Sequence, residues 1–575
     1  MAGGADLVLR GGRVIDPESG LDAVRDVALT GDQVARIGTG LPAGRLDLDV
    51  AGQVVTAGFI DLHSHAHDLG GQRLQAMDGV TTALELEAGI SPVAVAYERA
   101  AHAGRAINYG FAASWAMARQ ETLAGLRLDA DLAALFRHFS DPNWQRPASR
   151  AEAKRVLGLL EADLADGALG IGVLAGYAPG ADPAEYLQVA ALAAQAGVPT
   201  FTHCRDLVEF TPQTLIDGAE EIVRAAGETG AHMHYCHVNS TTVRHAERVL
   251  GLVERAQRAG ARVTTEAYPY GAGMTGIGAA FLAPERLAER GLEPADLTYA
   301  PTGERVADAA RLRELRATDP AGLAIIRHLN DDDPADRELL LRYLLFPGAV
   351  VASDAMPLTW RPAVPADDAA PDRDAWPLPA AAFTHPRTAG TFGRALRLLT
   401  RDGGSLGLAE ALAKCSLDPA RLLEAHVPAM RRKGRVAAGA DADIVVFDPA
   451  VITDQATYAA STRPTTGIRH VLVNGTFVVR DAQLVRDALP GPFARPADTA
   501  QKSARPAGCG PSPEGDVVAL GAHSGSPTAL IAASAKSLSA RIGVAPYLPA
   551  RYLRPIASSM RGLRSESAYS LLAPS

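Results

Sequence analysis

From residue 54 onward, short apolar segments alternate with longer segments of helical periodicity, and this alternation constrains the fold more than any other feature. The apolar segments predict eight β-strands, at residues 54–62, 79–87, 106–114, 168–174, 198–204, 231–237, 261–268 and 349–353. Eight strand–helix units over about 300 residues are typical of a (β/α)8 TIM-like barrel, an α/β fold. Between the seventh and eighth strands we expect an insertion, which begins with a loop of small residues at 271–278.

The two segments that flank these units have a different pattern. Residues 1–56 consist of short apolar segments separated by glycine and proline, as in β-strands and turns. Residues 434–485 return to this pattern and include the hairpin turn Asn474-Gly475. We therefore predict a small β-sandwich domain built from 1–56 and 434–485, and a barrel domain at 57–433. Residues 490–575 are rich in Ala, Ser, Pro, Arg and Gly, which predicts a disordered tail.

Composition and charge exclude several classes of protein. Apolar residues make up 47% of the chain and charged residues 21%, as in ordinary soluble globular proteins. The net charge is -9 and no basic stripe is present, so we expect no nucleic-acid partner. The N-terminus lacks the pattern of a secretory signal, and no run approaches the roughly 18 apolar residues of a membrane helix. The four cysteines are too scattered for a disulfide scaffold, and we predict a cytoplasmic protein.

The clearest chemical motif follows the first predicted barrel strand. Residues 58–65 read Gly-Phe-Ile-Asp-Leu-His-Ser-His, so His63 and His65 lie at the end of an apolar segment. Residues two apart in a strand share one face, and both imidazoles can therefore reach one cation. Neutral imidazole is a common ligand of zinc and similar metals, so the motif predicts a metal site.

Further polar residues lie at the ends of other predicted strands, where barrel enzymes have their sites. The second strand carries Glu85 and Glu87 on one face; Glu87 is nearer the strand end and is our first choice as a metal ligand, with Glu85 second. The fifth and sixth strands end at His203 and His237, which we also predict to be ligands. The eighth strand ends at Asp354, which suits proton transfer beside a metal.

Other polar residues of these strands are predicted to lie outside the ligand shell. His232 and His234 occupy the face of the sixth strand opposite to His237. Cys204 and Cys236 could in principle bind zinc, but each neighbours a predicted histidine ligand on the opposite face, and we expect both to be structural.

These residue types fit one reaction. A bound metal lowers the pKa of water from about 16 to about 7 and polarises a carbonyl group. Asp354 can accept the proton of that water and later donate it to a leaving amine. Mixed imidazole and carboxylate ligands leave open positions for a substrate. The pattern therefore predicts hydrolysis of an amide or a related C–N bond.

The chain resembles the amidohydrolase superfamily in the order of its motifs, which are Gly-Phe-Ile-Asp-Leu-His-Ser-His, Gly79-Val80-Thr81-Thr82, His203, His237 and Ser353-Asp354. More narrowly, it is similar to D-aminoacylases in residues 167–172, 268–270 and 385–392. The resemblance spans about residues 5–485 and implies a barrel with one or two zinc ions and a flanking β domain. By position, it implies that His63 and His65 form one metal site and that His203 and His237 form a tighter one. It implies that Asp354 is the acid and base.

The resemblance also implies a small-molecule substrate, an N-acyl-D-amino acid whose amide bond is hydrolysed. D-aminoacylases use a cysteine of the second strand as a zinc ligand, whereas this chain has Glu85 and Glu87 there. This version is closer to a deacylase branch associated with N-acyl-D-glutamate, and a bridging carboxylate favours a binuclear site. Asn239 stands where D-aminoacylases have a lysine, and we include it among the substrate-binding candidates although the specificity does not transfer directly.

An acyl amino acid carries a carboxylate, which a guanidinium group binds well. Arg205 and Arg387 are therefore candidates for substrate binding, with a structural salt bridge as the alternative for each. Tyr177, Tyr268 and Tyr270 are candidates for contact with the substrate or for stabilising the oxyanion, with packing as the alternative.

Two other functions stay open at this point. One is hydrolysis of a cyclic amide, as in hydantoinases and dihydroorotases, although residues 168–175 lack the fourth-strand lysine of the dihydroorotase-like relatives. The other is a catalytically silent barrel that serves as an assembly scaffold. The sequence leaves the acyl group, the amino-acid side chain and the oligomeric state open.

Overall fold

The computed structural model describes residues 4–361 and 375–492 as a mixed α/β protein; the tail predicted at 490–575 lies outside these residues from 493 onward. The described strands are β1 (Leu7–Asp16), β2 (Leu21–Thr30), β3 (Gln33–Gly38), β4 (Leu46–Asp49), β5 (Val54–Ala57), β6 (Phe59–Asp61), β7 (Val80–Glu85), β8 (Asn108–Phe111), β9 (Ala113–Ser114), β10 (Ile171–Leu174), β11 (Pro199–His203), β12 (His232–Tyr235), β13 (Val263–Ala267), β14 (Ala272–Gly276), β15 (Leu297–Tyr299), β16 (Glu304–Arg305), β17 (Leu323–Arg327), β18 (Ala349–Val351), β19 (Thr359–Trp360), β20 (Ala382–Phe383), β21 (Ile444–Phe447), β22 (Ile468–Val473), β23 (Thr476–Arg480) and β24 (Gln483–Leu484).

The described α-helices are α1 (Leu69–Met77), α2 (Val93–Ala103), α3 (Trp115–Ala124), α4 (Leu132–Arg137), α5 (Pro142–Gln145), α6 (Arg150–Ala165), α7 (Pro183–Ala196), α8 (Gly218–Thr229), α9 (Val238–Thr242), α10 (Ala246–Arg258), α11 (Pro284–Leu287), α12 (Ala309–Thr318), α13 (Pro334–Leu345), α14 (Arg387–Arg397), α15 (Leu408–Cys415) and α16 (Leu417–Leu423). The start of α6 is a capping box, in which the Ser149 hydroxyl accepts the Glu152 N–H and the Glu152 carboxylate accepts the Ser149 N–H. Within the described residues, no helix combines the length and the apolar character needed to span a membrane.

Strands from both ends of the described chain share one sheet. Its order is β24-β23-β22-β21-β5-β1-β2-β3, and β4 pairs with β1. The N-terminal and C-terminal segments meet where β5 runs antiparallel to β21. Apolar side chains such as Leu9, Val55 and Leu472 form a common core in this sheet, as alternation along the strands requires.

Each of the eight segments predicted as barrel strands contains a strand, and these strands form two parallel ladders. The first ladder has the order β6-β7-β8 and the second β9-β10-β11-β12-β13-β18. β8 and β9 belong to one predicted strand and are separated by Ala112, whose N–H donates to the Glu85 carbonyl of β7. At the opposite edges, Ser64 after β6 and Ala355 after β18 form a parallel bridge.

The segment predicted as one strand at 54–62 divides at Gly58 into β5 and β6, which enter different sheets. A Cβ atom at residue 58 would lie 2.1–2.6 Å from atoms of the Thr81 side chain, so this close approach to β7 requires glycine. The apolar pattern continues across the division because both strands are buried. The sequence therefore predicts the strand but not the change of sheet.

The insertion between β13 and β18 contains a small antiparallel sheet with the order β14-β17-β15-β16. The prediction of a loop at 271–278 is wrong, because Ala272–Gly276 pair with Leu323–Arg327. A Cβ atom at Gly273 would lie 3.1 Å from the Tyr268 hydroxyl, so glycine allows this close packing of β14 without a shift of the tyrosine. Residues 273–275 of β14 line a cavity together with Glu87, His203 and Asp354, which lie at the ends of parallel strands.

Apolar side chains of the parallel strands pack together in one cluster that extends to α16. It includes Ile60, Leu84, Leu169, Phe201 and Val350, each at most 3% exposed. Polar residues follow these apolar positions at the carboxyl ends of the same strands.

A buried charged group connects the nine-stranded sheet to the parallel strands. Lys433 Nζ lies 2.9 Å from Asp441 Oδ2 and 2.7 Å from Asp443 Oδ2. Asp443 also accepts hydrogen bonds from the Asn108 side chain in β8 and from the Asn474 N–H in the β22–β23 hairpin. We call these five residues the junction cluster.

Candidate metal centre

Six polar side chains meet where parallel strands end. They are His63 and His65 after β6, Glu87 after β7, His203 at the end of β11, His237 after β12 and Asp354 after β18. All six are at most 8% exposed. The carboxyl ends of neighbouring parallel strands lie at one edge, which brings these distant segments together. We call the six residues the central cluster.

Glu87 lies between two pairs of histidines. Its Oε1 atom is 2.9 Å from His203 Nδ1 and 2.9 Å from His237 Nε2. Its Oε2 atom is 3.3 Å from His63 Nε2 and 3.6 Å from His65 Nε2. Burial would raise the pKa of the Glu87 carboxyl, but attraction to His63 and hydrogen bonds from the other imidazoles outweigh burial and hold the pKa well below its ordinary value. Glu87 is therefore ionised at neutral pH.

Within each pair, two ring nitrogens face each other. His63 Nε2 and His65 Nε2 are 3.2 Å apart, and His203 Nδ1 and His237 Nε2 are 3.1 Å apart. Two lone pairs at this distance repel unless a proton or a cation lies between them. Two imidazole ligands of a tetrahedral zinc ion, each about 2.05 Å from the metal, have their nitrogens about 3.3 Å apart. The spacing within each pair is therefore that of two imidazoles bound to the same metal ion.

Larger groups of donor atoms support this fit. The donor atoms of His63, His65 and Asp354 lie within 4.8 Å of one another, as do those of His63, Glu87 and His237. Burial by itself would lower the pKa of His65, but the neighbouring carboxylates of Glu85 and Asp354 outweigh burial and raise this pKa to about 10. Without a metal, a proton therefore occupies this pair, as expected for imidazoles arranged around a position for a cation.

The structure separates the two glutamates of the second strand. Glu85 Oε2 contacts His65 Nδ1 at 2.8 Å, on the side of the ring away from the central cluster. Two residues correspond to about 6–7 Å along a strand, so Glu85 lies one layer deeper than Glu87. Glu87 therefore reaches both histidine pairs, and Glu85 reaches the back of one ring.

Asp354 contacts both the first histidine pair and an arginine. Its Oδ1 atom is 3.5 Å from His63 Nε2, 3.4 Å from His65 Nε2 and 2.9 Å from Arg387 Nη2. Burial would raise the pKa of this carboxyl, but Arg387 and His63 outweigh burial and lower it. Asp354 has φ +51° and His237 has φ +29°, both unfavourable for residues with a Cβ. Such strain concentrates at functional sites, where the surrounding structure maintains it.

Sequence reasoning missed Glu266 in β13. This residue is 1% exposed, and its Oε1 atom lies 2.5 Å from His63 Nδ1. Burial would raise the pKa of Glu266, but the neighbouring imidazoles His63 and His234 outweigh it, and the pKa is lowered. The sequence contained a signal for this residue, because Glu266 lies within the seventh predicted barrel strand and a buried carboxylate needs a partner. The same rule selected Glu85 and Glu87 in the second strand.

The two cysteines predicted to be structural are buried and free. Cys204 Sγ lies 3.0 Å from the Tyr235 hydroxyl. Cys236 has its sulfur within 4.8 Å of donor atoms of His63 and Glu266. Burial and the Glu266 charge raise the pKa of the Cys236 thiol well above its ordinary value, so it keeps its proton and is a poor ligand.

A small cavity of about 50 Å³ opens beside the central cluster. Most of its lining is apolar and includes Phe136, Phe139, Leu174, Met274, Phe281 and Ile326. Arg290 also lines the cavity, but it pairs with Asp206 and stacks on the Phe281 ring at 4.7 Å. Burial lowers the pKa of His328 to about 3, so this lining imidazole is uncharged. The cavity therefore suits an apolar group beside the reacting atoms.

Two of the predicted substrate contacts, Tyr177 and Tyr268, line this cavity, and a third, Arg387, is buried against the Tyr268 ring. Tyr177 lines it, with its hydroxyl 2.8 Å from Thr275 Oγ1. Arg387 contacts Asp354 and lies over the Tyr268 ring at 4.8 Å. Its buried Nε and Nη1 atoms have no hydrogen-bond partner among the described residues, so this guanidinium can still bind an anion.

The other three predicted substrate-binding residues do not line the cavity. Arg205 Nε pairs with Glu221 of α8 at 2.8 Å, which is the structural alternative. Tyr270 packs against Arg394, which lies 4.5 Å from its ring centre. The side chain of Asn239 contacts the backbone N–H and carbonyl of Tyr268, which joins the ends of two strands. Their local hydrogen bonds and packing account for these three residues.

Comparison with known proteins gives one family match and relatives of similar length. The model of the Amidohydrolase family matches residues 135–479. An N-acyl-D-glutamate deacylase from Alcaligenes xylosoxydans xylosoxydans is 30% identical over 508 residues, which cover 83% of this chain and 94% of that protein. A D-aminoacylase from the same organism is 29% identical over 498 residues, which cover 82% of this chain and 93% of that protein.

A solved structure is also similar over most of the chain. It is the N-acyl-D-glutamate deacylase from Bordetella bronchiseptica, complexed with zinc and a phosphonate inhibitor that mimics the tetrahedral intermediate of its reaction. The TM-score is 0.66, with 25% sequence identity, and the match covers 86% of this chain and 100% of that one. The similarity therefore includes most of the described residues.

Proposed function

The chain belongs to the amidohydrolase family, and from this premise we propose that it hydrolyses the amide bond of an N-acyl-D-amino acid at a metal centre. The observation that carries the proposal is the central cluster, in which Glu87 lies between two histidine pairs and Asp354 lies beside one of them. Relatives whose sequence matches cover more than four-fifths of the chain include two deacylases and an aminoacylase, which favours a linear amide over a cyclic one.

The proposed architecture is a (β/α)8 barrel at residues 57–433, with a β-sandwich domain from 1–56 and 434–485. Two contacts support closure of the parallel strands, the Ser64–Ala355 bridge at one side and the continuity through Ala112 at the other. In a closed barrel the carboxyl ends of all eight strands surround one opening, which accounts for the convergence of the central cluster.

The proposed cofactor is zinc, as one or two ions. His203 and His237 would hold one ion and His63 and His65 a second, with Glu87 between them. Imidazole and carboxylate donors suit zinc, and a solved relative contains it. When bound, the metal would polarise the scissile carbonyl and lower the pKa of an attacking water. Glu85 would position His65 through the hydrogen bond at Nδ1.

Asp354 is the proposed general base and general acid. Arg387 and His63 lower its pKa against the effect of burial, so Oδ1 is ionised at neutral pH and can accept the proton of the attacking water. The same oxygen can then donate this proton to the nitrogen of the leaving amine, which would otherwise depart as an unstable anion. The proton thus moves from water to the amine through one carboxylate.

Arg387 and Tyr177 are the proposed substrate contacts. The free Nε and Nη1 atoms of Arg387 would bind the carboxylate of the substrate, which fixes the amide near Asp354. Tyr177 would pack against the acyl group or the side chain in the cavity. The apolar lining favours an apolar amino acid, while the relatives include an enzyme named for D-glutamate.

The test is a substrate panel on zinc-loaded protein. It contains N-acetyl-D-methionine, N-acetyl-D-glutamate, the two L-enantiomers, hydantoin and dihydroorotate. We expect amine release from an N-acetyl-D-amino acid, abolished by a chelator and restored by zinc. A preference for a cyclic amide would establish the alternative enzyme. A protein that purifies without stoichiometric metal and hydrolyses none of the six would be a scaffold.

A further inference from the structure

We infer that Glu266 is a positioning residue that fixes one ligand of each histidine pair, an inference that rests on the proposed metal centre. Its Oε1 atom is 2.5 Å from His63 Nδ1 and accepts a hydrogen bond from the His237 backbone N–H at 3.1 Å. His63 belongs to the first pair and His237 to the second. A single carboxylate oxygen therefore contacts both halves of the central cluster from behind.

The contact with His63 determines which ring nitrogen faces the cluster. A carboxylate at Nδ1 requires the proton to be on Nδ1, so Nε2 presents its lone pair. Nε2 is the atom 3.2 Å from His65 Nε2 and 3.3 Å from Glu87 Oε2. A carboxylate behind a metal-binding histidine fixes the orientation of the ring and increases its basicity. Glu266 therefore prepares His63 to bind through Nε2.

The contact with His237 acts on the backbone. His237 has φ +29°, a conformation that is unfavourable for a residue with a Cβ. Its N–H donates to Glu266, which helps to hold this conformation. The side chain of His237 then reaches Glu87 Oε1 at 2.9 Å. Loss of the hydrogen bond would release the backbone and move this imidazole.

Glu266 is itself held in place by a histidine outside the central cluster. Its Oε2 atom lies 3.0 Å from His234 Nε2, and His234 Nδ1 lies 2.8 Å from Thr264 Oγ1. Glu266 does not line the cavity, and both of its oxygens are engaged on the far side of His63. This arrangement points to a role through the ligands and not as a ligand. The side chain of Glu85 differs, since among the six cluster residues it contacts only that of His65.

Two variants test separately the charge of the Glu266 side chain and its length. Glu266→Gln keeps the size and an acceptor oxygen but removes the charge. Glu266→Asp keeps the charge but is one methylene shorter, so it cannot keep its contacts with both His63 and His237. Thr265→Val is the matched control, because Thr265 is buried on the same strand and its hydroxyl has no partner among the described residues.

The measurements are zinc affinity, by competition with a chromophoric chelator, and the absorption spectrum of the cobalt-substituted protein. We expect Glu266→Gln and Glu266→Asp to lower zinc affinity about 10- to 100-fold and to change the cobalt spectrum, as loss of a residue behind a ligand does. Thr265→Val should keep both properties of the unaltered protein. These readouts need no substrate, so they are independent of the proposed amide hydrolysis.

Wild-type zinc affinity and an unchanged cobalt spectrum in the two folded variants would overturn the inference, and so would an unaltered protein that binds neither metal. An unaltered protein that binds zinc but hydrolyses no N-acyl-D-amino acid would overturn the proposed function alone. If neither variant folds, a zinc-loaded crystal structure of the unaltered protein decides. His63 bound to zinc through Nε2 and to Glu266 through Nδ1 supports the inference; direct coordination of zinc by Glu266, or its separation from His63, contradicts it.

Discussion

The junction cluster and the region around the central cluster both bury carboxylates, but their negative charge is balanced in different ways. In the junction cluster, Lys433 is 5% exposed and lies between Asp441 and Asp443. Burial would lower the pKa of this ammonium, but the two carboxylates outweigh burial and raise it. The permanent cation is part of the chain, and the cluster is complete by itself.

Around the central cluster the carboxylates outnumber the permanent cations. Four buried carboxylates, those of Glu85, Glu87, Glu266 and Asp354, contact imidazole side chains of the cluster, and Arg387 is the one arginine or lysine that contacts them among the described residues. The remaining neighbours are imidazoles, which balance charge only when they hold protons. A buried group of carboxylates with too few fixed cations carries excess negative charge, which a bound metal ion can neutralise.

Removal of the fixed cation tests the junction cluster and has the largest expected effect. Lys433→Met leaves Asp443 buried without a cation and Asp441 with only the exposed Arg432, and loss of a buried ion-pair partner typically costs about 3–5 kcal/mol of unfolding free energy. Denaturant unfolding measures this loss. Zinc content of the folded fraction should stay the same, because Lys433 contacts no residue of the central cluster.

A matched control uses the exposed partner of the same acid. Arg432 contacts Asp441 at 2.8 Å, but 53% of its side chain is exposed. Arg432→Gln should therefore cost at most about 1 kcal/mol, the usual contribution of an exposed ion pair. Equal losses in the two variants would contradict the view that the buried lysine balances the cluster.

Asp354→Asn tests the proposed role of Asp354 in proton transfer at the central cluster. The amide keeps the size of the side chain but cannot accept the proton of the attacking water. Turnover should fall at least about 100-fold, the scale of general acid and base catalysis, while zinc stays bound. Parallel measurements of turnover and zinc content check this, with the exposed Asp332→Asn as a control for net charge. Wild-type turnover in Asp354→Asn would remove Asp354 from the mechanism.

The convergence of the six cluster residues was predictable from the sequence because this convergence follows from rules of strand geometry. Alternation along a strand and the common edge of parallel strands bring His63, His203 and Asp354 to one region without knowledge of any long-range contact. The amidohydrolase resemblance is confirmed by the family match. The roles of the individual residues stay predictions until they are tested.

What the sequence did not predict depends on contacts between distant segments. The position of Arg205 is determined by Glu221 on α8, and an isolated arginine near a strand end shows no sign of that partner. The change of sheet at Gly58 depends on the nearby Thr81 side chain. Glu266 is a different case, since the rule applied to the second strand would also have selected a carboxylate in the seventh.

The two glutamates of β7 offer a closer comparison within one strand. Glu87→Ala removes the side chain between the two histidine pairs, so zinc content should fall and affinity should drop more than about 100-fold. Glu85→Ala removes only the carboxylate behind His65, for which about 10- to 100-fold is expected. Metal analysis after dialysis against graded chelator distinguishes the two variants. A larger loss in Glu85→Ala would reverse the assignment of the two carboxylates.

Per pH unit, the pH dependence of zinc binding at the central cluster is the smallest expected effect, and it differs from the behaviour of the junction cluster. In the metal-free protein the pKa of His65 is raised to about 10, so a metal must displace its proton at every lower pH. Apparent zinc affinity should therefore fall about tenfold for each pH unit from 9 to 6, for each proton displaced. The raised pKa of Lys433 means that its stabilising charge is fully present below the ordinary pKa of lysine and is lost only at higher pH. The stability difference between the unaltered protein and Lys433→Met should thus stay constant from pH 6 to 9. Zinc affinity should change over the same range, and a constant zinc affinity would show that no proton competes with the metal at the central cluster.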